Sequence, residues 1–293
     1  MNMHVLMSGA EYFDDGQAIN DLMDASVPVD LQKAIEEHGR IKQALESAGI
    51  KVSQVTAPPD CQDGVYTANW ALVRGGKAVM SRLPNSRQPE EAYALQTIRN
   101  LGLEPLTLPS EVDRFSGQGD ALPCGDTLFV QSPYRTTLNA HKYLKKMLGF
   151  REVISLQTKP ARWFGFGPAK KNKITGLPDS PTYDVDLALA ILKSPSASQK
   201  GLIAYCPAVF KRRSRHLLQN YHDVDKIEVS RQETMQAYAL NLVSTGETVI
   251  MNSGAPDFQA ALHKHGLKTI ALDLPELKKG GGSIRCSTLT LDS

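Results

Sequence analysis

The residues with the most chemical potential lie near the end of the chain, where Gly280-Gly281-Gly282-Ser283-Ile284-Arg285-Cys286 runs into Ser287-Thr288-Leu289-Thr290-Leu291. Three successive glycines let the backbone approach a ligand closely and adopt positive φ. The alternating run after them is expected to be a strand bounded by the chain end. Cys286 then sits where a loop enters a strand, as either a small buried hydrophobe or a nucleophile presented at a pocket mouth. The other cysteines, Cys61, Cys124 and Cys206, are widely spaced and form no C-x-x-C pair. Neither a zinc site nor a disulfide framework is indicated, which favours a reducing compartment. His263 and His265 straddle an expected helix end and read as surface residues without metal-type partners, so no metal is expected.

The elements that must position these groups come from an ordinary globular composition. The chain has 293 residues, 41% hydrophobic and 22% charged, enough for a large core and long enough for two domains or a set of fused repeats. A formal charge of +2 gives no reason to expect a nucleic-acid partner or a polybasic membrane contact. The one basic cluster, Lys211-Arg212-Arg213 with Arg215, reads as a solvated helix start. The N-terminus lacks the pattern of a signal peptide and no apolar run reaches membrane-spanning length, so a cytoplasmic location is the simplest expectation.

The same succession of strand, turn, helix and strand recurs along the chain. Module one has a strand at Met3 to Met7 and a helix from Leu31 to Ser47. That helix has Asp30 as N-cap, Gly49 as stop, and Leu31, Ala34, Ile35, Ile41, Ala44, Leu45 and Ala48 on one face; a strand at Ile50 to Val55 follows. Module two has Trp70 to Val73, Ala78 to Met80, a helix from Pro89 to Gly102, and Leu103 to Leu108. Module three has Thr127 to Val130, a helix from about Leu138 to Leu148, and Val153 to Leu156. Module four has Leu187 to Leu192, Leu202 to Tyr205, a helix through Leu217-Leu218, and Lys226 to Val229. Module five has Ala239 to Val243, Thr248 to Met251, a helix from Asp257 to His265, Thr269 to Leu272, and the Cys286 strand. Five such units predict an α/β fold of one repeat architecture, which when closed is a five-bladed α/β propeller with its loops meeting at a central pocket; periodicity alone supports only the α/β class, since an open doubly wound sheet also alternates strands and helices. The segment 159–181, with Trp163, Phe164 and Phe166, stands outside this pattern as a long insertion, either a lid or an exposed contact loop.

At Asp63-Gly64-Val65-Tyr66-Thr67-Ala68-Asn69-Trp70-Ala71-Leu72-Val73 the sequence resembles the guanidino-group-modifying enzymes of the pentein fold, namely dimethylargininases, arginine deiminases and amidinotransferases. The resemblance recurs at Ser86-Arg87 with Glu90, at Gly117-Gln118-Gly119-Asp120-Ala121-Leu122, at Tyr134-Arg135-Thr136 and at Cys286, in the family's order and near its spacing. It implies one pentein-type domain over residues 1–293, with an axial site in which Cys286 attacks a guanidinium carbon. A planar cation needs in-plane acceptors, which Asp63 and Asn69 can supply, and a substrate carboxylate needs cationic clamps, for which Arg87 and Arg135 stand at the matching positions. Asp63 reads equally as a turn residue before Gly64, and each arginine as an ion-pair partner without a ligand.

Two departures from the family's pattern stand out. Its histidine, in a His-X-Asp or related segment, is matched here by Thr182-Tyr183-Asp184-Val185-Asp186-Leu187, so Asp184 takes the histidine's place. An acidic residue that precedes the Gly-rich segment is replaced by Ser116. A carboxylate near Cys286 disfavours its thiolate unless a cation intervenes, and the bound guanidinium can be that cation. The first expectation is therefore a cysteine-dependent hydrolase of a C–N bond in an arginine-like or methylarginine-like compound, with Asp184 passing a proton to the leaving amine. Alternatives are a silent guanidino-binding protein of the same fold and an amidinotransferase. The partner is a small guanidino compound, no cofactor is implied, and homo-oligomerisation is left open.

Overall fold

A computed structural model of the chain describes residues 2–162 and 167–292. Among these residues, fifteen strands form five sheets of three strands each. The first sheet joins both ends of the chain: β1 (His4–Met7) pairs in parallel with β2 (Lys51–Gln54) and antiparallel with β15 (Leu289–Thr290). The others are local: β3 (Ala71–Arg74), β4 (Lys77–Met80) and β5 (Glu104–Leu106); β6 (Ala121–Cys124), β7 (Thr127–Gln131) and β8 (Glu152–Leu156); β9 (Leu189–Lys193), β10 (Gly201–Tyr205) and β11 (Val224–Glu228); β12 (Val243–Ser244), β13 (Thr248–Asn252) and β14 (Lys268–Leu272). In every sheet an inner strand runs antiparallel to the middle one, and the outer strand lies parallel to the middle one after a helical crossover. The crossovers are α1 (Leu31–Ser47), α2 (Pro89–Asn100), α4 (Ala140–Leu148), α5 (Arg212–Asn220) and α7 (Pro256–Lys264), with shorter helices α3 (Gly117–Asp120), α6 (Arg231–Gln236) and α8 (Pro275–Lys279) between modules. This is the five-bladed α/β propeller of the pentein fold.

Local chemistry explains these elements. Asp30 accepts a hydrogen bond from the Lys33 N–H at 3.2 Å and starts α1, and Gly49, at φ +81°, turns the chain out of it. Ala34, Ile41, Ala44 and Leu45 are buried as expected, but Leu31 and Ile35 are exposed. Their places on the inner face are taken by Glu37 and His38. Glu37 accepts from the N–H groups of Glu276 and Leu277 at 3.0 and 2.9 Å and so caps α8.

Two expected strands are shorter than the pattern suggested. Residues 239–242 turn, with the Asn241 N–H on the Tyr238 carbonyl at 2.9 Å, and only Val243–Ser244 pair as β12. Cys286 does not lie at a strand entrance. Ser287 N–H bonds Ser283 O at 3.0 Å and Thr288 N–H bonds Arg285 O at 3.1 Å, which closes a turn over residues 284–287 before β15 begins. The Ser287 and Thr288 hydroxyls also donate back to the carbonyls of Ser283 and Ile284, a local alternative to a sheet ladder.

Asn69, Ser116, Asp184 and Cys286, all preceding inner strands, line one cavity, whereas Arg74, Gly125, Ser194 and Asp292, at or beyond the other ends, line another. The insertion rests against the N-terminal loop through Asn172 Nδ2 on Ala18 O at 3.0 Å and Lys170 with Asp21 at 3.5 Å. Its Trp163, Phe164 and Phe166 lie outside the described residues.

Candidate active site

All six residues singled out from the sequence, Asp63, Asn69, Arg87, Arg135, Asp184 and Cys286, line a single cavity at the N-terminal ends of the inner strands. Cys286 is 3% exposed. Asn241 holds its turn: the amide oxygen accepts from the N–H groups of Arg285 and Cys286 at 3.1 and 3.2 Å, and Nδ2 donates to the Cys286 sulfur at 3.1 Å. The thiol donates to Asp186 Oδ2 at 3.2 Å. Burial raises the Cys286 pKa well above the ordinary thiol value, and the charges of Asp186 and Asp184 add to the rise. The resting sulfur is a thiol, and a cation in the cavity is what would favour its ionisation.

The glycines beside the cysteine serve packing as well as conformation. Gly281 has φ +86°, but a Cβ on Gly282 would stand 2.7 Å from Tyr66 Cε1 and 2.9 Å from Cys286 Cβ. A larger residue there would displace the Cys286 side chain.

Asp184 is tied to the opposite wall. Its Oδ2 accepts from Asn69 Nδ2 at 2.7 Å and its Oδ1 from the Ser116 hydroxyl at 3.0 Å. A Cβ on Gly119 would come within 2.4 Å of Asn69 Nδ2 and 2.5 Å of Asp184 Oδ2, so only glycine lets these two side chains meet. Burial raises the Asp184 pKa, opposed mainly by Arg135. Asp186 is pushed up to about 8 by burial and by Asp184, and Asp120 is raised by the same two causes. Three buried carboxyl groups this close cannot all ionise, so the cluster holds protons at neutral pH. Asp120 Oδ2 and Asp186 Oδ1 have no hydrogen-bond partner among the described residues.

The two arginines differ in how fully they are engaged. Arg87 grips Glu90 through Nε and Nη2, both at 2.7 Å, in a pair whose side chains are 7% and 1% exposed. Its Nη1 donates to Asn69 Oδ1 at 2.7 Å and its Nη2 to the Asp63 carbonyl at 3.0 Å. Arg135 donates to the Ile19 carbonyl and lies over the Tyr183 ring at 5.1 Å, with no carboxylate within 4.0 Å among the described residues. Asp63 both opens a turn, its carbonyl accepting from Tyr66 N–H at 3.0 Å, and lines the cavity. Burial, opposed by Arg87, raises its carboxyl to about 6.

Ile19 and Asn20 also line the cavity, Asn20 Nδ2 bonding the Gly280 carbonyl at 3.1 Å. The enclosed space is about 20 Å³, room for about one water. A ligand of arginine's size therefore needs the lining to open. Asn241 escaped the sequence reading because nothing local marks it, whereas Asp186 was visible only as the second acid of the stretch that holds Asp184.

No profile of a known protein family matches the chain. The N(G),N(G)-dimethylarginine dimethylaminohydrolase of Mycobacterium tuberculosis is 30% identical over 287 residues, covering 97% of this chain and 84% of that enzyme. The chain belongs to the guanidino-group-modifying superfamily. A second member, the bifunctional arginine dihydrolase/ornithine cyclodeaminase AgrE of a Nostoc species, is 28% identical over 288 residues, 97% of this chain but only 37% of AgrE. The crystal structure of the substrate-bound N-terminal domain of ArgZ, a cyanobacterial arginine dihydrolase, superposes with a TM-score of 0.83 at 24% identity over 99% of this chain and 98% of that domain. The last likeness speaks to the pentein fold.

Proposed function

We propose that the chain is a cysteine-dependent hydrolase acting on a C–N bond of an arginine-like or methylarginine-like guanidino compound. The observation that carries this reading is that Cys286, whose thiol contacts the Asp186 carboxyl, lines one cavity with Asp63, Asn69, Asp184, Arg87 and Arg135. Membership of a superfamily whose named relatives are a dimethylarginine dimethylaminohydrolase and arginine dihydrolases supports the substrate class. Residues 1–293 act as one pentein unit on this reading, since the last strand completes the first sheet. A reducing, cytoplasmic setting suits the free thiol.

The buried acids supply the binding energy for a cation, and the carboxylate of an arginine-like ligand falls to Arg135, which has no carboxylate within 4.0 Å among the described residues. Arg87, saturated by Glu90 and Asn69, orients Asn69 and through it Asp184. As the guanidinium enters, its charge favours the thiolate. Sulfur forms a bond to the guanidinium carbon, the C–N bond breaks, and the thiol's proton passes through the carboxyl cluster to the leaving nitrogen. Water then forms the C–O bond as the C–S bond breaks, one of its protons going to sulfur and the other leaving through the carboxyl cluster, and a urea-type product is released. Asp184 fills the family histidine's place, but Asp186 is the acid in contact with sulfur, so we assign the proton relay to Asp186 with Asp184 setting its charge.

The raised thiol pKa and the absence of a histidine from the cavity lining favour a second reading, a silent guanidino-binding protein. Mass spectrometry of wild type and Cys286→Ser after incubation with arginine, methylarginines, agmatine and guanidino acids separates the two. Product from the wild type, at least about 10⁴-fold faster than from the variant, is the expected result. Binding without product in either form would overturn the hydrolase reading, and a product formed only with an amine acceptor would identify amidinotransfer.

A further inference from the structure

The far ends of the inner strands surround a second cavity of about 300 Å³ that shares no lining residue with the Cys286 site. Leu122, Leu189, Leu240 and Leu242 give it apolar walls, and the Arg285 side chain lines it. Arg285 is 6% exposed. Its described side-chain hydrogen bonds go to two neutral oxygens, Thr290 Oγ1 at 2.8 Å and Gln118 Oε1 at 2.9 Å. No carboxylate lies within 4.0 Å of it among the described residues. A guanidinium does not give up its proton, so a buried one with no carboxylate at salt-bridge distance is costly, and an anion beside it is what would relieve it.

The acids at the mouth do not fill that role. Asp126 is engaged by Arg74, and Asp292 accepts the Met3 N–H at 3.0 Å. Their negative charge disfavours multiply charged anions such as phosphate and selects a single carboxylate, while the leucines suit an aliphatic tail. Arg285 also precedes Cys286 in the chain, and its charge interacts with both Cys286 and Asp186. An anion paired with it cancels a field that favours the thiolate.

We infer that this cavity is a second ligand site, which takes a small aliphatic monocarboxylate through Arg285, and that its occupation lowers the reactivity of Cys286. The inference stands apart from the hydrolase reading because both halves are measured without turnover. Isothermal titration calorimetry of the full chain with 4-methylpentanoate and with the neutral 4-methylpentanamide reads the first half. The acid should bind about tenfold or more tightly than the amide, as expected for a charged contact worth about 1.4 kcal/mol. Ile191→Trp, which fills the cavity from a partly exposed position on β9, should abolish that binding. If the variant does not fold, the Arg285 Nε–H resonance of the ¹⁵N-arginine-labelled wild type should shift with the acid and not with the amide. Equal affinity for acid and amide, binding undiminished in folded Ile191→Trp, an unmoved Arg285 resonance, or no binding of either compound would overturn the site. For the second half, alkylation of the Cys286 peptide by iodoacetamide should slow severalfold under saturating 4-methylpentanoate. An unchanged alkylation rate in protein shown to bind the acid would overturn the coupling.

Discussion

Two walls of the Cys286 cavity are built on opposite terms. On one, Arg87, Glu90 and Asn69 satisfy one another: Arg87 holds Glu90 by two bonds, and Asn69 passes from Arg87 to Asp184 and Ser116. On the other, Arg135 has no acidic neighbour within 4.0 Å among the described residues, and the thiol rests on Asp186, which with Asp120 stands behind the lining, each acid keeping an oxygen without a partner among the described residues. The first wall is a scaffold with nothing left to offer a ligand. The second retains unmet charge and hydrogen-bonding capacity, which a guanidinium bearing a carboxylate would satisfy.

The sharpest way to break this contrast is Arg87→Ala, which leaves Glu90 buried and unpaired. Unfolding in denaturant should show a loss of about 3–5 kcal/mol. A loss under about 1 kcal/mol would mean that Arg87 belongs to the ligand-binding wall after all.

The acid wall should reveal itself through pH. Asp186 has a folded pKa of about 8 against an ordinary value of 3.8, so the folded chain keeps a proton there that the unfolded chain has lost. Its contribution is fully present below pH 4 and is lost as pH rises from about 4 to about 8, then levels off. The wild type should therefore lose stability relative to Asp186→Asn across that window, as read from paired unfolding curves. Parallel curves would show that Asp186 titrates normally.

Arg135→Ala should have the smaller structural and the more selective functional effect. Its stability cost should stay under about 1 kcal/mol, while KM rises about ten- to hundredfold for substrates that carry a carboxylate, the worth of one charged hydrogen-bonded contact. Agmatine, which lacks the carboxylate, should be indifferent to the change. An equal loss for both would make Arg135 a cover for the site and not a clamp.

The scaffold was more legible in the sequence than the chemistry. The span of α1 follows from Asp30 and Gly49, local signals at its own ends. Five modules showed through because strand and helix periods repeat within each. The pairing of β1 with β15 joins residues 4–7 to 289–290, and no local pattern encodes it. The turn around Cys286 was missed because its serine and threonine hydroxyls bond back to the chain in a run that alternates like a strand. Asp63, Asn69, Arg87, Arg135, Asp184 and Cys286 were found through their resemblance to known motifs, and they do meet in one cavity. Which of them are spent on each other was not visible, because Arg87 and Arg135 differ only in their neighbours in space. Asn241 illustrates the same limit: an asparagine next to leucines gives no hint that its amide holds a thiol 45 positions away in the chain.

The most direct test of Cys286 as nucleophile is acid quenching of the wild type during turnover of whichever guanidino compound it accepts, followed by peptide mass spectrometry. An adduct of the substrate's amidino carbon on the Cys286 peptide, absent from Cys286→Ala together with activity, is the predicted result. Turnover that persists in Cys286→Ala without any adduct would contradict it.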